Sequence, residues 1–287
     1  MDLDFTIFHY LNGFAGRWYG LDLFFAMEED NNLLKGALFV AGFVWFWCHP
    51  APGRQHRRIA IINTMPSVFV ALVLNRALAV SLPFRQRPMY DPSILFNDPH
   101  VDVVVHYNLE NWTSFPSDTA TFFFALVAGF WLVSRRAAIG YGLYSLLFIC
   151  TTRIYLGVHW PSDIIVGALI GFVTTLGVHA LLRDRLARPV LRLEQRQPHW
   201  MYMLAFFAAF EVGAMLEDIR RLQHGLLVSL VRDLNTYMHT SPKAAFSSLS
   251  VLAGAVCLTA ALLLLRRRRE RPLARRVSDE MSENAIR

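Results

Sequence analysis

The segment TTRIYLGVHWPSD, residues 151–163, places an arginine, an imidazole and a carboxylate within one short stretch: Arg153, His159 and Asp163. An imidazole held by a carboxylate has its tautomer and direction fixed, and its free nitrogen can attack phosphorus or serve as a base. A guanidinium offers a planar fork of donors that matches phosphate oxygens. The three side chains therefore amount to a clamp, a nucleophile and its orienter. Singly, each also suits a helix end beside a membrane. Pro161 fits a first helical position and puts Asp163 in the first turn, where it answers the helix dipole. His159 is then an interfacial aromatic, and Arg153 reaches for headgroups. Ionisable residues at such positions are costly and mark function, and the combination favours chemistry over three separate structural roles.

Two further polar stretches complement that turn. SFPSDTA, residues 114–120, precedes an apolar run, so Ser117 is expected to cap a helix whose free N–H groups form an anion site; an ordinary cap after Pro116 remains open. PFRQRP, residues 83–88, brings Arg85 and Arg87, with Arg76 further back on the same predicted helix. Taken alone, this arginine pair also reads as an interfacial anchor.

The elements that must position these residues are membrane helices. The chain has 287 residues, is 54% hydrophobic and has a mean hydropathy of +0.34, outside the range of ordinary soluble domains. Spans are expected at 33–49, 59–82, 119–134, 137–157, 161–182, 199–216 and 245–265. The first thirty residues are interrupted by Asp2, Asp4, His9, Arg17 and Asp22 and are expected to form an interfacial or re-entrant helix. No removable signal peptide is expected. Cys48, Cys150 and Cys257 lie in apolar runs as small buried hydrophobes and indicate neither disulfides nor zinc. The net charge of +6 comes from arginines gathered in short loops, which is a topology signal rather than a nucleic-acid footprint. With those loops in the cytoplasm, the loop 83–118 and the turn 151–163 share the opposite face, where residues distant in sequence can meet.

In this order, the three stretches resemble the signature motifs of the type 2 phosphatidic acid phosphatase family of integral membrane enzymes. Its third motif is Ser-Arg, five residues, His, three residues, Asp; here Thr152-Arg153, His159 and Asp163 match it but for Thr152. Its second, Pro-Ser-Gly-His or Pro-Ser-Asp-His, is met by Pro116-Ser117-Asp118 and ends in Thr119. Its first, Lys, six residues, Arg-Pro, is met by Arg87-Pro88 with Val80 at the lysine position. The resemblance covers about 33–182 and implies an all-α polytopic bundle: a six-helix phosphatase-like core with added C-terminal helices. It also implies phosphate removal or transfer on lipids and prenyl carriers without metal or other cofactor, through a phosphohistidine. By motif position His159 is the nucleophile and Asp163 its orienter. Arg87, Arg153 and Ser117 bind the phosphoryl group, and Arg85 or Arg76 stands in for the lysine.

Thr119 is the departure with chemical consequences. The family histidine protonates the leaving oxygen and helps water attack the phosphohistidine, which a threonine hydroxyl cannot do near neutral pH. General acid–base catalysis contributes about 10²–10⁴-fold. An alkoxide leaving a lipid monophosphate needs that proton; a phosphate leaving a diphosphate is a far weaker base. A polyprenyl diphosphate substrate therefore follows, or a phosphotransferase with another acceptor. Asp118 offers a carboxyl, but histidine-bearing relatives carry it too. The alternative is a catalytically retired relative that binds a lipid phosphate as sensor, carrier or complex subunit.

The expected organisation is an N-terminal segment 1–32, a core 33–182, two extra spans with an outer amphipathic segment in 183–265, and a cytoplasmic tail 266–287. Glu211 interrupts an apolar run as either a pairing residue or a functional acid. Asn111-Trp112-Thr113 fits a glycosylation sequon that is common by chance. The expected setting is a bacterial inner membrane with the site facing the periplasm, a lipid or prenyl phosphate as substrate, and no nucleic-acid partner.

Overall fold

A computed structural model describes residues 2–31, 33–50, 52–99 and 109–214, and every regular element among them is helical. The expected span at 245–265, the outer segment before it and the tail lie outside the described residues, as does Cys257.

Among the described residues, three helices are long and apolar enough to cross a membrane: α4 (Arg54–Ser81), the continuous run Arg135–Tyr155 and α8 (Pro161–Leu182). The middle run comprises α6 (Arg135–Tyr144), a π-helical stretch Ser145–Cys150 and α7 (Thr151–Tyr155). Two shorter apolar helical stretches join them. One is Leu33–Cys48, a π turn (Leu33–Ala37) leading into α3 (Leu38–Cys48), and the other is α5 (Asp118–Val133). Beyond α8 follow α9 (Ala187–Arg196) and α10 (Pro198–Gly213). The first six expected spans thus coincide with helices, and the described residues form a helical membrane bundle.

The centre of the bundle is α5, packed between α4 and α8. Its side chains are buried on nearly every face, which is why it is apolar all round rather than amphipathic. Small residues set the spacing. A Cβ on Gly171 would stand 2.1 Å from the Thr121 carbonyl oxygen and one on Gly167 2.3 Å from that of Ser117, so α8 touches the α5 backbone directly. Gly129 likewise receives Thr64 of α4. Towards the opposite end, Phe130 stacks on Phe43 at 4.0 Å and on Tyr141 at 4.1 Å. The site end of α5 is thereby fixed against α8 by backbone contact, and its far end by aromatic packing.

The N-terminal segment, expected as an interfacial or re-entrant helix, is helical. It forms two helices, α1 (Asp2–Asn12) and α2 (Tyr19–Asp30), packed against α7, with α1 also touching α8. Polar side chains of this segment tie it to the bundle. Asn12 donates to the Tyr155 carbonyl at 3.0 Å, and Asp22 accepts from the Tyr155 hydroxyl. Cys150 is buried as expected, whereas Cys48, at the end of α3, is exposed. Glu211 sits on α10, and its Oε2 is buried without a hydrogen bond among the described residues.

Candidate functional site

Main-chain hydrogen bonds join the three motif stretches at one end of the bundle. Ser114 N–H donates to the Arg85 carbonyl at 2.8 Å, and Met89 N–H to that of Gly157 at 2.9 Å. Ser117 N–H donates to the Asp163 carbonyl at 3.1 Å. Trp160 closes the seam by donating its indole Nε1–H to the Gln86 carbonyl at 2.9 Å. Gly157 turns the chain with a φ of +68°, and a side chain there would meet Met89 and Phe96.

His159 lies at the bottom of this junction and is 2% exposed. Its Nδ1 is 2.8 Å from the Ser114 carbonyl and 3.6 Å from Asp163 Oδ2. The closer partner is thus a backbone oxygen that no motif pattern displays. Asp163, fully buried in the first turn of α8, is itself fixed: Oδ2 accepts from Trp160 N–H at 2.9 Å, and Oδ1 from Arg85 Nη1 at 2.6 Å. Burial drives the His159 pKa below its ordinary 6.5, outweighing the support from Asp163.

The arginines have distinct surroundings. Arg85 joins Asp163 to Asp4 of α1, 2.8 Å from its Nη2, and Asp4 also accepts from the Ser162 hydroxyl and amide. Burial pushes the Asp4 carboxyl up, but these hydrogen bonds prevail and hold it below 3.8. Arg76 faces Asp118 at 3.7 Å and lies over the Trp112 ring. Arg87 is buried and, among the described residues, donates to the carbonyls of Val158 at 2.8 Å and Thr113 at 3.2 Å, while its Nε is buried without an acceptor there. Burial lowers its pKa to about 10, so it remains a cation at neutral pH. Arg153 is buried rather than reaching for headgroups, and its Nη2 donates to Thr119 Oγ1 at 2.6 Å.

Ser117 caps α5 as expected, accepting from Ala120 N–H at 3.3 Å. The open anion site expected at this helix start is partly filled from within, since Thr119 N–H donates to Asp118 Oδ1 at 2.9 Å. The arginine side chains are therefore the main donors at this end. All nine residues singled out from sequence, Arg76, Arg85, Arg87, Ser117, Asp118, Thr119, Arg153, His159 and Asp163, lie at this end of the bundle.

Sequence reasoning missed Asp4, Glu29, Lys35 and the Ser114 carbonyl. Glu29 Oε1 accepts from Arg153 Nη1, and Lys35 donates to Glu29 Oε2 at 3.2 Å. Their signal was faint: an acidic end to an apolar helix, and one of only two lysines in the chain.

The profile of the PAP2 superfamily matches residues 60–187. YbjG of Escherichia coli (strain K12), whose name reads "putative undecaprenyl-diphosphatase", is 25% identical over 53% of this chain and 69% of its own. The bacitracin transport permease protein BcrC of Bacillus licheniformis is 35% identical over 62% of this chain and 79% of its own. The crystal structure of Aquifex aeolicus LpxE overlays with a TM-score of 0.44 and 25% identity, covering 61% of this chain and 94% of that one. With the motif residues assembled at one end of a helical membrane bundle and this degree of identity to BcrC, the chain belongs to the PAP2 superfamily.

Proposed function

We propose that this protein is a membrane phosphatase that cleaves the terminal phosphate of a lipid diphosphate, with a polyprenyl diphosphate as substrate and His159 as the nucleophile. The observation that carries this reading is the Arg153–Thr119 contact. Where the second motif ends in Thr119, the nearest functional group is a guanidinium, which stabilises negative charge but is no proton donor near neutral pH. Such a site favours a leaving group that departs as an anion, and the phosphate of a prenyl monophosphate meets that requirement. The name of the relative YbjG supports the same substrate class.

The steps follow from the groups present. A carbonyl can only accept, so the contact with Ser114 leaves the proton on Nδ1 and the lone pair on Nε2 of His159. Nε2 attacks the terminal phosphorus, forming a P–N bond while the bridging P–O bond breaks and the prenyl monophosphate leaves with that electron pair. Arg87 and Arg153 hold the equatorial oxygens, and Asp163 balances the cationic imidazole. Water then attacks phosphorus, the P–N bond breaks, and inorganic phosphate is released. Asp118 is the carboxylate best placed in sequence to take the proton from that water. The working position is the bacterial inner membrane with this end of the bundle toward the periplasm.

The test is phosphate release by the purified full-length chain in detergent, from farnesyl diphosphate and from a phosphatidic acid side by side. Release from the diphosphate, abolished in His159→Ala, is expected. No release from either substrate, in wild type or in Thr119→His, would overturn the reading and leave a lipid-phosphate binder.

A further inference from the structure

Two buried residues outside the segment matched by the superfamily are linked to Arg153. Glu29 stands near the end of α2, and Lys35 lies in the π turn before α3. Lys35 is 0% exposed, and its ammonium donates both to the Glu29 carbonyl and to carboxylate Oε2. Glu29 Oε1 accepts from Arg153 Nη1, and Arg153 Nη2 donates to Thr119 Oγ1. The result is a buried chain from Lys35 through Glu29 and Arg153 to Thr119. The carboxylate hydrogen-bonded to both cations is Glu29; among the described residues the neighbouring Glu28 hydrogen-bonds to neither.

Burying charges costs desolvation that attraction repays only with good geometry, so such a cluster is weak evidence for stability and better evidence for a fixed direction. Arginine on its own is a long, rotamer-rich side chain. Here one edge of its guanidinium is fixed by a carboxylate, which is itself held by an ammonium.

We propose that Glu29, anchored by Lys35, is a positioning residue that presents Arg153 beside Thr119 to the transferred phosphoryl group. This rests on the reading of Arg153 as a phosphate ligand. The carboxylate acts in two opposed ways. It orients the guanidinium, which speeds phosphoryl transfer, and its negative charge, only one guanidinium away, weakens the binding of a resting phosphate.

A purely structural ion pair predicts no such opposition, and the experiment reads it directly. For wild type, Glu29→Gln, Glu29→Asp and Arg153→Lys, phosphate release from farnesyl diphosphate is measured in detergent for kcat and KM, with inorganic phosphate as inhibitor. In Glu29→Gln kcat is expected to fall about tenfold or more, while inorganic phosphate inhibits at a several-fold lower concentration. In Glu29→Asp, which keeps the charge but shortens the reach, kcat falls without the gain in phosphate affinity. In an Arg153→Lys background Glu29→Gln lowers kcat no further. Unchanged kcat and inhibition in folded Glu29→Gln, or losses that only follow the folded fraction, would overturn the proposal. Should Glu29→Gln not fold, kcat of folded Glu29→Asp decides: a fall at unchanged phosphate inhibition supports the proposal, and an unchanged kcat overturns it. Should wild type release no phosphate from any substrate, the functional reading fails separately. Calorimetric binding of inorganic phosphate then tests the pair alone: tighter binding in Glu29→Gln supports it, and equal binding overturns it.

Discussion

His159 Nδ1 lies 2.8 Å from the carbonyl oxygen of Ser114, whereas the Asp163 carboxylate expected to orient it is 3.6 Å away. The backbone of the second motif thus sets the tautomer of the third-motif histidine, and Asp163 supplies charge from just beyond hydrogen-bond reach. Because the seam between the motif stretches is made largely of main-chain bonds, His159 and the arginines around it are held as one unit.

A pH profile follows from the burial of His159. Attack requires the neutral ring, and burial depresses its pKa below 6.5, so the neutral form persists to lower pH than in a free imidazole. The acid limb of kcat/KM should lie below that value, with activity lost as pH falls through the depressed pKa. An acid limb of kcat/KM above that value, lost in His159→Ala together with activity and unchanged between substrates, would contradict this environment.

The Asp4–Arg85–Asp163 network acts through Asp163. Asp163→Asn should lower kcat by about a hundredfold through loss of charge and alignment. Asp4→Asn and Arg85→Ala should lower kcat more modestly, with little change in KM. Were Arg85 instead a phosphate ligand, as the missing first-motif lysine led us to expect, KM would rise in Arg85→Ala. Steady-state kinetics on farnesyl diphosphate separates the two.

Thr119→His should restore an acid beside the leaving group. Release from phosphatidic acid is expected to rise toward the roughly 10²–10⁴-fold contribution of general acid catalysis, with a smaller change for the diphosphate. The gain stays below that range if the ring displaces Arg153, which now occupies the Thr119 hydroxyl at 2.6 Å. The ratio of the two substrate activities is the readout.

Gly171→Ala probes the backbone contact behind the site. The added methyl would stand 2.1 Å from the Thr121 carbonyl oxygen, so α8 must move away from α5. Overpacking of this kind costs about 1–3 kcal/mol, and the same displacement shifts Asp163 relative to Ser117. Thermal stability in detergent and kcat should fall together, whereas Gly140→Ala, with open space at that position, should leave both unchanged.

The sequence by itself determined the solvent, the helices and the identity of the chemical groups. Apolar runs such as those of α4 and α8 are long enough to demand a bilayer, and the spacing of Arg153, His159 and Asp163 is readable because all three lie in one local turn. Only the tertiary structure decided which partner each group meets. The Ser114 carbonyl carries no side-chain signature, so nothing in the chain announces it as the partner of His159. Asp4, Glu29 and Lys35 look like interruptions of apolar segments until α1 and α2 fold against α7, where burial obliges each charge to find a partner. Periodicity and spacing are local properties, and a linear pattern can show them. The pairing of buried charges depends on which helices touch, and packing alone settles that.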